Sequence, residues 1–182
     1  MNYERLEKNL IDNIREAQLK LGFENRPMSL NYMYSSLKHL LGADCSDGEL
    51  SAALGEFSEY ILPRLGRLGF RPVKDGYCIT IPAEGTAYVH ELTTGEEFIA
   101  QLISAVRGHD ISMEDVIDLF RRYSDNVTVQ DGNGEDFDKM VCFADGVPDE
   151  YLYCLTAEPC MDGGCHIIYH RFIREDYEDL GF

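Results

Sequence analysis

Residues 46–81 read SDGELSAALGEFSEYILPRLGRLGFRPVKDGYCITI, and a change of period inside this stretch decides the fold class. Ser46 and Glu49 stand three apart, the spacing of a capping box, in which each side chain satisfies a free backbone N–H of the first helical turn. Leu50, Leu54, Phe57 and Ile61 then recur at helical intervals and form one inward face. After Pro63 the period becomes two. Residues 70–73 and 77–81 flank Lys74-Asp75-Gly76, with Tyr77, Ile79 and Ile81 alternating onto one side. Asp-Gly between such runs signals a β-hairpin. A helix running into a hairpin predicts an α+β protein.

Toward the N-terminus, Leu6, Leu10, Ile14, Ala17 and Leu21 predict a first helix that stops at Gly22. Leu30, Met33, Leu37 and Leu40 predict a second, after Pro27 and ending at Gly42. Helices followed by a hairpin over residues 28–82 make this half winged-helix-like. Toward the C-terminus, Thr94 and Glu97 read as another capping box, opening a helix that buries Phe98, Leu102 and Val106. Ser112 caps a further helix burying Met113, Val116, Ile117 and Phe120. From Val127 onward, glycine turns at 131–134, 145–146 and 162–164 separate four expected strands, 127–130, 137–144, 151–158 and 166–173, in an antiparallel meander. The expected division is a helical, winged-helix-like subdomain over 1–90 and an acidic α+β subdomain over 91–182, with one continuous domain as the alternative.

Charge separates these halves. The formal net charge of −17 divides into ten basic against twelve acidic residues over 1–90, and six against twenty-one over 91–182. Such a field repels nucleic-acid backbones and anionic lipid and favours basic partners. No apolar run reaches spanning length, and Glu4, Glu7, Asp12 and Glu16 make the N-terminus unlike a signal peptide. Six cysteines in 182 residues, without an export signal, read as reduced thiols and predict a cytoplasmic protein.

Four constellations invite chemistry. A DNA-reading winged helix needs cations, and Arg64, Arg67, Arg71 and Lys74 form a basic stretch around the hairpin; yet residues 46–63 hold no Lys or Arg and four acids, Asp47, Glu49, Glu56 and Glu59. Nucleic acid is therefore disfavoured as a partner. Cys154, Cys160 and Cys165, followed by His166 and His170, have the composition of a zinc site, but the spacing C-x5-C-x4-C-H-x3-H lacks a tight knuckle. On a strand the two histidines share a face about 13 Å apart, too far for one metal. His166, Tyr169, His170 and Arg171 form a candidate ligand face, with the histidines on one side of the strand and Tyr169 and Arg171 on the other. The run 131–136 resembles a calcium loop but has Asp136 where the EF-hand needs glycine and Cys142 where it needs glutamate. Nucleotide-binding glycine motifs and H-E-x-x-H are missing from the sequence, and no cofactor is called for.

Leu6 to Ile11, Pro82 to Glu91, Tyr169-His-Arg-Phe172 and Glu175-Asp-Tyr177 carry a likeness. With them the chain resembles a small family of uncharacterised bacterial proteins of similar length, catalogued only as a domain of unknown function. The resemblance implies no activity, cofactor or catalytic residue. The residues themselves favour a non-enzymatic protein-interaction module with an acidic surface. One alternative is a small-molecule or metal-binding protein, or an enzyme, that uses the Cys/His hairpin; a second is a winged-helix transcription regulator.

Overall fold

A computed structural model describes residues 1–108, 111–160 and 164–181. The chain divides into two compact units, Met1–Thr94 and Gly95–Phe182. Both mix helices with antiparallel sheet, so the protein is α+β.

The first unit runs α1 (Tyr3–Leu21), β1 (Met28–Met33), α2 (Tyr34–Leu41), α3 (Asp47–Leu65), β2 (Gly69–Val73), β3 (Gly76–Ile81) and α4 (Ala83–Leu92). The Ser46 capping box forms as its spacing predicts: the Ser46 hydroxyl accepts from the Glu49 N–H and the Glu49 carboxylate accepts from the Ser46 N–H. Leu50, Leu54, Phe57 and Ile61 are buried. The helix passes through Pro63 to Leu65, because a proline this near the C-terminus removes one backbone bond and Gly66 still donates to the Leu62 carbonyl.

Two expectations fail here. The helix predicted after Pro27 is a strand, β1, followed by the shorter helix α2; Leu30 pairs opposite Ile79, and Met33 is exposed. Pairing with β3 overrides a spacing that also alternates at Met28, Leu30 and Tyr32. The stripe of α1 leaves its predicted line at the end, where Leu21 is 85% exposed and Gln18 is 7% exposed. Helix α4 is an addition; it packs on α1 and α3, and its Gly85 lies so close to α3 that a Cβ there would sit 2.3 Å from the Leu65 carbonyl oxygen.

The first sheet has the order β1-β3-β2, antiparallel throughout. Its central strand β3 buries Tyr77, Cys78, Ile79 and Ile81. The second unit runs α5 (Phe98–Val106), α6 (Met113–Tyr123), β4 (Val127–Asp131), β5 (Lys139–Phe143), β6 (Leu152–Pro159), β7 (Cys165–Phe172) and α7 (Arg174–Asp179). Its sheet is the expected meander, β4-β5-β6-β7. Ser112 caps α6 in a reciprocal box with Asp115. Thr94 is not the cap of α5: the N-cap is Glu97, whose carboxylate accepts from the Gly95 N–H at 2.9 Å. The turn at 131–134 is closed by Asn133, whose Oδ1 accepts from the N–H groups of Glu135 and Asp136. Positions 162 and 163 of the last predicted turn lie outside the described residues. Among the described residues no helix is long and apolar enough to cross a membrane.

Two glycines of the first unit give opposite predictions. Gly85→Ala forces backbone apart and destabilises by about 1–3 kcal/mol. Gly55, exposed in α3 with nothing near its missing Cβ, gains about 0.5–1 kcal/mol on replacement by alanine. Urea titrations followed by circular dichroism measure both; a neutral Gly85→Ala refutes the close approach.

Candidate functional site

Strand register sorts the second sheet into two faces. On one, Val141, Tyr153 and Tyr169 are buried with the aromatic rings of α5 and α6. Phe98 lies 4.6 Å from Phe120 and 4.9 Å from Phe143, and Tyr153 stands edge-on to both helices' rings, 5.6 Å from Phe98 and 5.1 Å from Phe120. The Tyr153 hydroxyl donates to the buried carboxylate of Asp149 at 2.7 Å, and Asp149 accepts a second bond from the Tyr151 N–H. Burial, and next the negative charge of Asp149, push the Tyr153 phenol far above its ordinary range. It is a structural hydrogen-bond donor, not an acid that titrates near neutrality.

The other face carries the histidines. Along β6 and β7 the cross-strand pairs are Leu152 with Phe172, Cys154 with His170, Thr156 with Ile168, and Glu158 with His166. His170 is exposed and His166 half-buried, while Tyr169 is buried and the Arg171 guanidinium lies 4.2 Å from the Tyr151 ring centre. The strand therefore splits the four ligand candidates two and two, and Tyr177 of α7 rests against Phe172 and Phe137.

Of the sulfur candidates, Cys154 stands directly opposite His170 but is 4% exposed, and desolvation pushes its thiol up to about 11. A thiol held protonated is a poor nucleophile and a poor metal ligand. Cys165 lies opposite Pro159, and Cys160 follows one residue later, its N–H donating to the Gly164 carbonyl at 2.9 Å. Among the described residues no three His, Cys, Asp or Glu side chains come together to hold a metal ion.

The basic candidates are dispersed. Arg64 is ion-paired to Glu7 at 2.9 Å and lies 4.9 Å from the Tyr60 ring, whose hydroxyl donates to the same carboxylate. Arg67 reaches Glu59 at 3.8 Å. Arg71 is exposed on β2 and Lys74 is exposed in the β2–β3 turn.

A feature that sequence reasoning missed lies at the C-terminal end of α1. A cavity of about 400 Å³ is lined by Gln18, Leu21, Arg26, Pro27, Met28 and Leu30. Its signal in the sequence is Gln18 itself, a polar residue four after Ile14 on the buried line Leu6, Leu10, Ile14.

Fold and surface thus define an α+β protein whose described residues assemble no metal cluster, with the Cys154 thiol held protonated by burial. A family model described as "Domain of unknown function, E. rectale Gene description (DUF3877)" matches residues 3–181, and the chain belongs to that family. Comparison with curated proteins and with solved structures returned no match.

Thiol accessibility ranks the cysteines. Buried Cys78, Cys142 and Cys154 should alkylate about tenfold or more slowly than half-buried Cys45, Cys160 and Cys165 at pH 8, followed by peptide mass spectrometry. Fast labelling at Cys154 contradicts its desolvation.

Proposed function

We propose that the protein is a non-enzymatic interaction module, held in the reducing cytoplasm, that presents an acidic surface to a basic protein partner. The observation that carries this reading is the outward face of α3. The first unit runs helix, strand, helix, helix, strand, strand, helix with the sheet order β1-β3-β2, which supports a winged-helix-like reading. In such a module α3 is the helix that would enter the DNA major groove. Here its exposed positions include Glu49, Glu56 and Glu59, and Arg64 and Arg67 at its C-terminal end are paired with Glu7 and Glu59. Carboxylates where a phosphate would lie repel it and attract lysine or arginine instead. The surplus of fifteen acids over bases in residues 91–182 extends the same field.

The test uses two defined probes, a random 20-base-pair duplex and a helical peptide rich in lysine and arginine, each followed by fluorescence anisotropy. The duplex should not bind at low salt. The peptide should bind and lose about tenfold in affinity between roughly 50 and 300 mM salt. Glu56→Gln with Glu59→Gln should weaken it further, since glutamine keeps the shape and still accepts from the Tyr3 hydroxyl that now bonds Glu56 at 2.7 Å. Binding of the duplex, or peptide binding indifferent to salt and to the double substitution, overturns the reading.

A further inference from the structure

Successive residues of a strand turn their N–H and C=O groups to alternate sides, so one hydrogen bond fixes the direction of all the others. The Tyr34 N–H donates to the Asp75 carbonyl oxygen at 3.0 Å, at the end of the β1–β3 ladder. Tyr32, Leu30 and Met28 therefore turn their backbone groups to β3, and Ser29, Asn31 and Met33 turn theirs away from it. Pro72 of β2 agrees: it has no N–H to give, so Tyr77, opposite it on β3, bonds across to Tyr32 instead. Ser29, Asn31 and Met33 are exposed, and among the described residues no strand lies on their side of β1. A row of backbone donors and acceptors of this kind is a template for one more strand.

Natural edges are blunted by proline and charge, and the two edges of this sheet differ in that respect. β2 carries Arg71 and Pro72, with the proline at a position whose N–H would point outward. β1 reads Met-Ser-Leu-Asn-Tyr-Met, with neither. Its surroundings are neutral as well. The three acids and three bases of residues 12–33 are matched in pairs, Asp12 with Arg15, Glu16 with Lys20 and Glu24 with Arg26. In a chain of net charge −17 this is a stretch where a second copy meets no unmatched like charge.

The edge has room beside it and is held in place. Hollows of about 400 and 440 Å³ lie along it, between β1 and the Ala17 and Leu21 side of α1. One borders Met28 to Leu30 and the other Leu30 to Tyr32, a shift of two residues, which is the repeat of side chains along an added strand. Leu21 beside them is 85% exposed, and Met33 at the end of the strand is 54% exposed. The approach to β1 is fixed on α4. Gln18 donates to the Thr86 carbonyl at 2.8 Å, the Thr86 hydroxyl donates to the Arg26 carbonyl at 3.1 Å, and Phe23 stacks on His90 with ring centres 4.0 Å apart. A strand fixed in advance loses little conformational entropy when it pairs.

We propose that β1 is a dimerisation strand, and that its occupant is the β1 of a second copy, antiparallel across a two-fold axis at Asn31. Asn31 then faces Asn31 of the partner subunit and Ser29 faces the partner's Met33, each pair exchanging both of its N–H···O bonds. The sheet runs on as β2-β3-β1 of one protomer and β1-β3-β2 of its partner. The strand that fits is uncharged with alternate apolar side chains, and Met28, Leu30 and Tyr32 of β1 supply them. A two-fold contact brings each copy's exposed Leu21 and hollows to the same interface. Pairing closes at two copies, because each outer edge then ends on Pro72. The contact involves none of the α3 carboxylates, so it stands or falls apart from the acidic-surface reading.

Sedimentation equilibrium of the full chain over about a hundredfold range of concentration tests this. The unaltered protein should form a dimer that tightens several-fold between roughly 50 and 300 mM salt, because salt screens the repulsion between two chains of like net charge. That is the reverse of the salt effect expected for the basic peptide. Asn31→Pro should weaken the dimer about tenfold or more yet keep the circular dichroism and melting of the monomer, since its N–H serves no bond within one copy. Should that variant not fold, amide exchange of the unaltered protein decides the matter. Asn31 and Met33 should exchange about tenfold more slowly at high concentration than at low, while Leu30, already bonded to β3, changes less. A chain monomeric throughout, even one that takes up a foreign extended peptide, overturns the proposal. So does a dimer that salt dissociates, a dimer indifferent to Asn31→Pro, or Asn31 exchange indifferent to concentration.

Discussion

Strand β3 has a neighbour on each edge and buried side chains on both faces, so its N–H and C=O groups can be satisfied only by β1 and β2. Much of the first unit follows from that requirement. It draws residues 28–33 into an extended conformation despite their helical spacing, and it sets Tyr32 opposite Tyr77 and Met33 opposite Gly76. The contact at the turn is close enough that a Cβ on Gly76 would lie 1.8 Å from the Tyr32 carbonyl oxygen. Tyr34 then bonds through its N–H to the Asp75 carbonyl, and α2 begins there. At the other end Pro82 leads directly into α4, which closes over α1 and α3.

The second unit meets the same demand with a meander and adds a polar anchor. Tyr153 is wholly buried among phenylalanines, and its hydroxyl would be costly there without Asp149. Asp149 in turn is held by backbone, through the Tyr151 N–H. The acidity of this unit therefore has two physical characters. Asp149 is internal and committed, whereas Glu135, Asp136, Glu178 and Asp179 are solvent-facing charges.

The sequence shows the fold where the chemistry is local. The Ser46 box and the Asp-Gly hairpin each depend on side chains within a few residues of the backbone they organise. The meander was legible because its strands are neighbours in sequence. The strand β1 was not, because its partner lies some fifty residues away and a short apolar run fits either period. Thr94 and Glu97 have the spacing of a box, yet α5 starts with Glu97 at its N-cap and the Glu97 carboxylate accepts from the Gly95 N–H. The candidate sites divide in the same way. Alternation along β7 placed its histidines on one face in advance, whereas the burial of Cys154 and the pairing of Arg64 with Glu7 arise between distant segments. The cavity at Gln18 was hidden for that reason too, since Thr86 and His90 belong to a helix that the pattern did not reveal.

Among the described residues the meander ends on β7, whose one strand partner is β6. An unpaired strand edge is a template on which another chain can assemble into fibres, and proteins guard such edges with polar or charged side chains. His166, His170 and Arg171 stand along this strand, interrupting what would otherwise be the run Ile167, Ile168, Tyr169, Phe172 and Ile173. Polar and charged side chains set into a β-rich hydrophobic tract act as gatekeepers. The cluster that first suggested chemistry thus has the character of a guard: it breaks the apolar run of the outermost strand of the sheet.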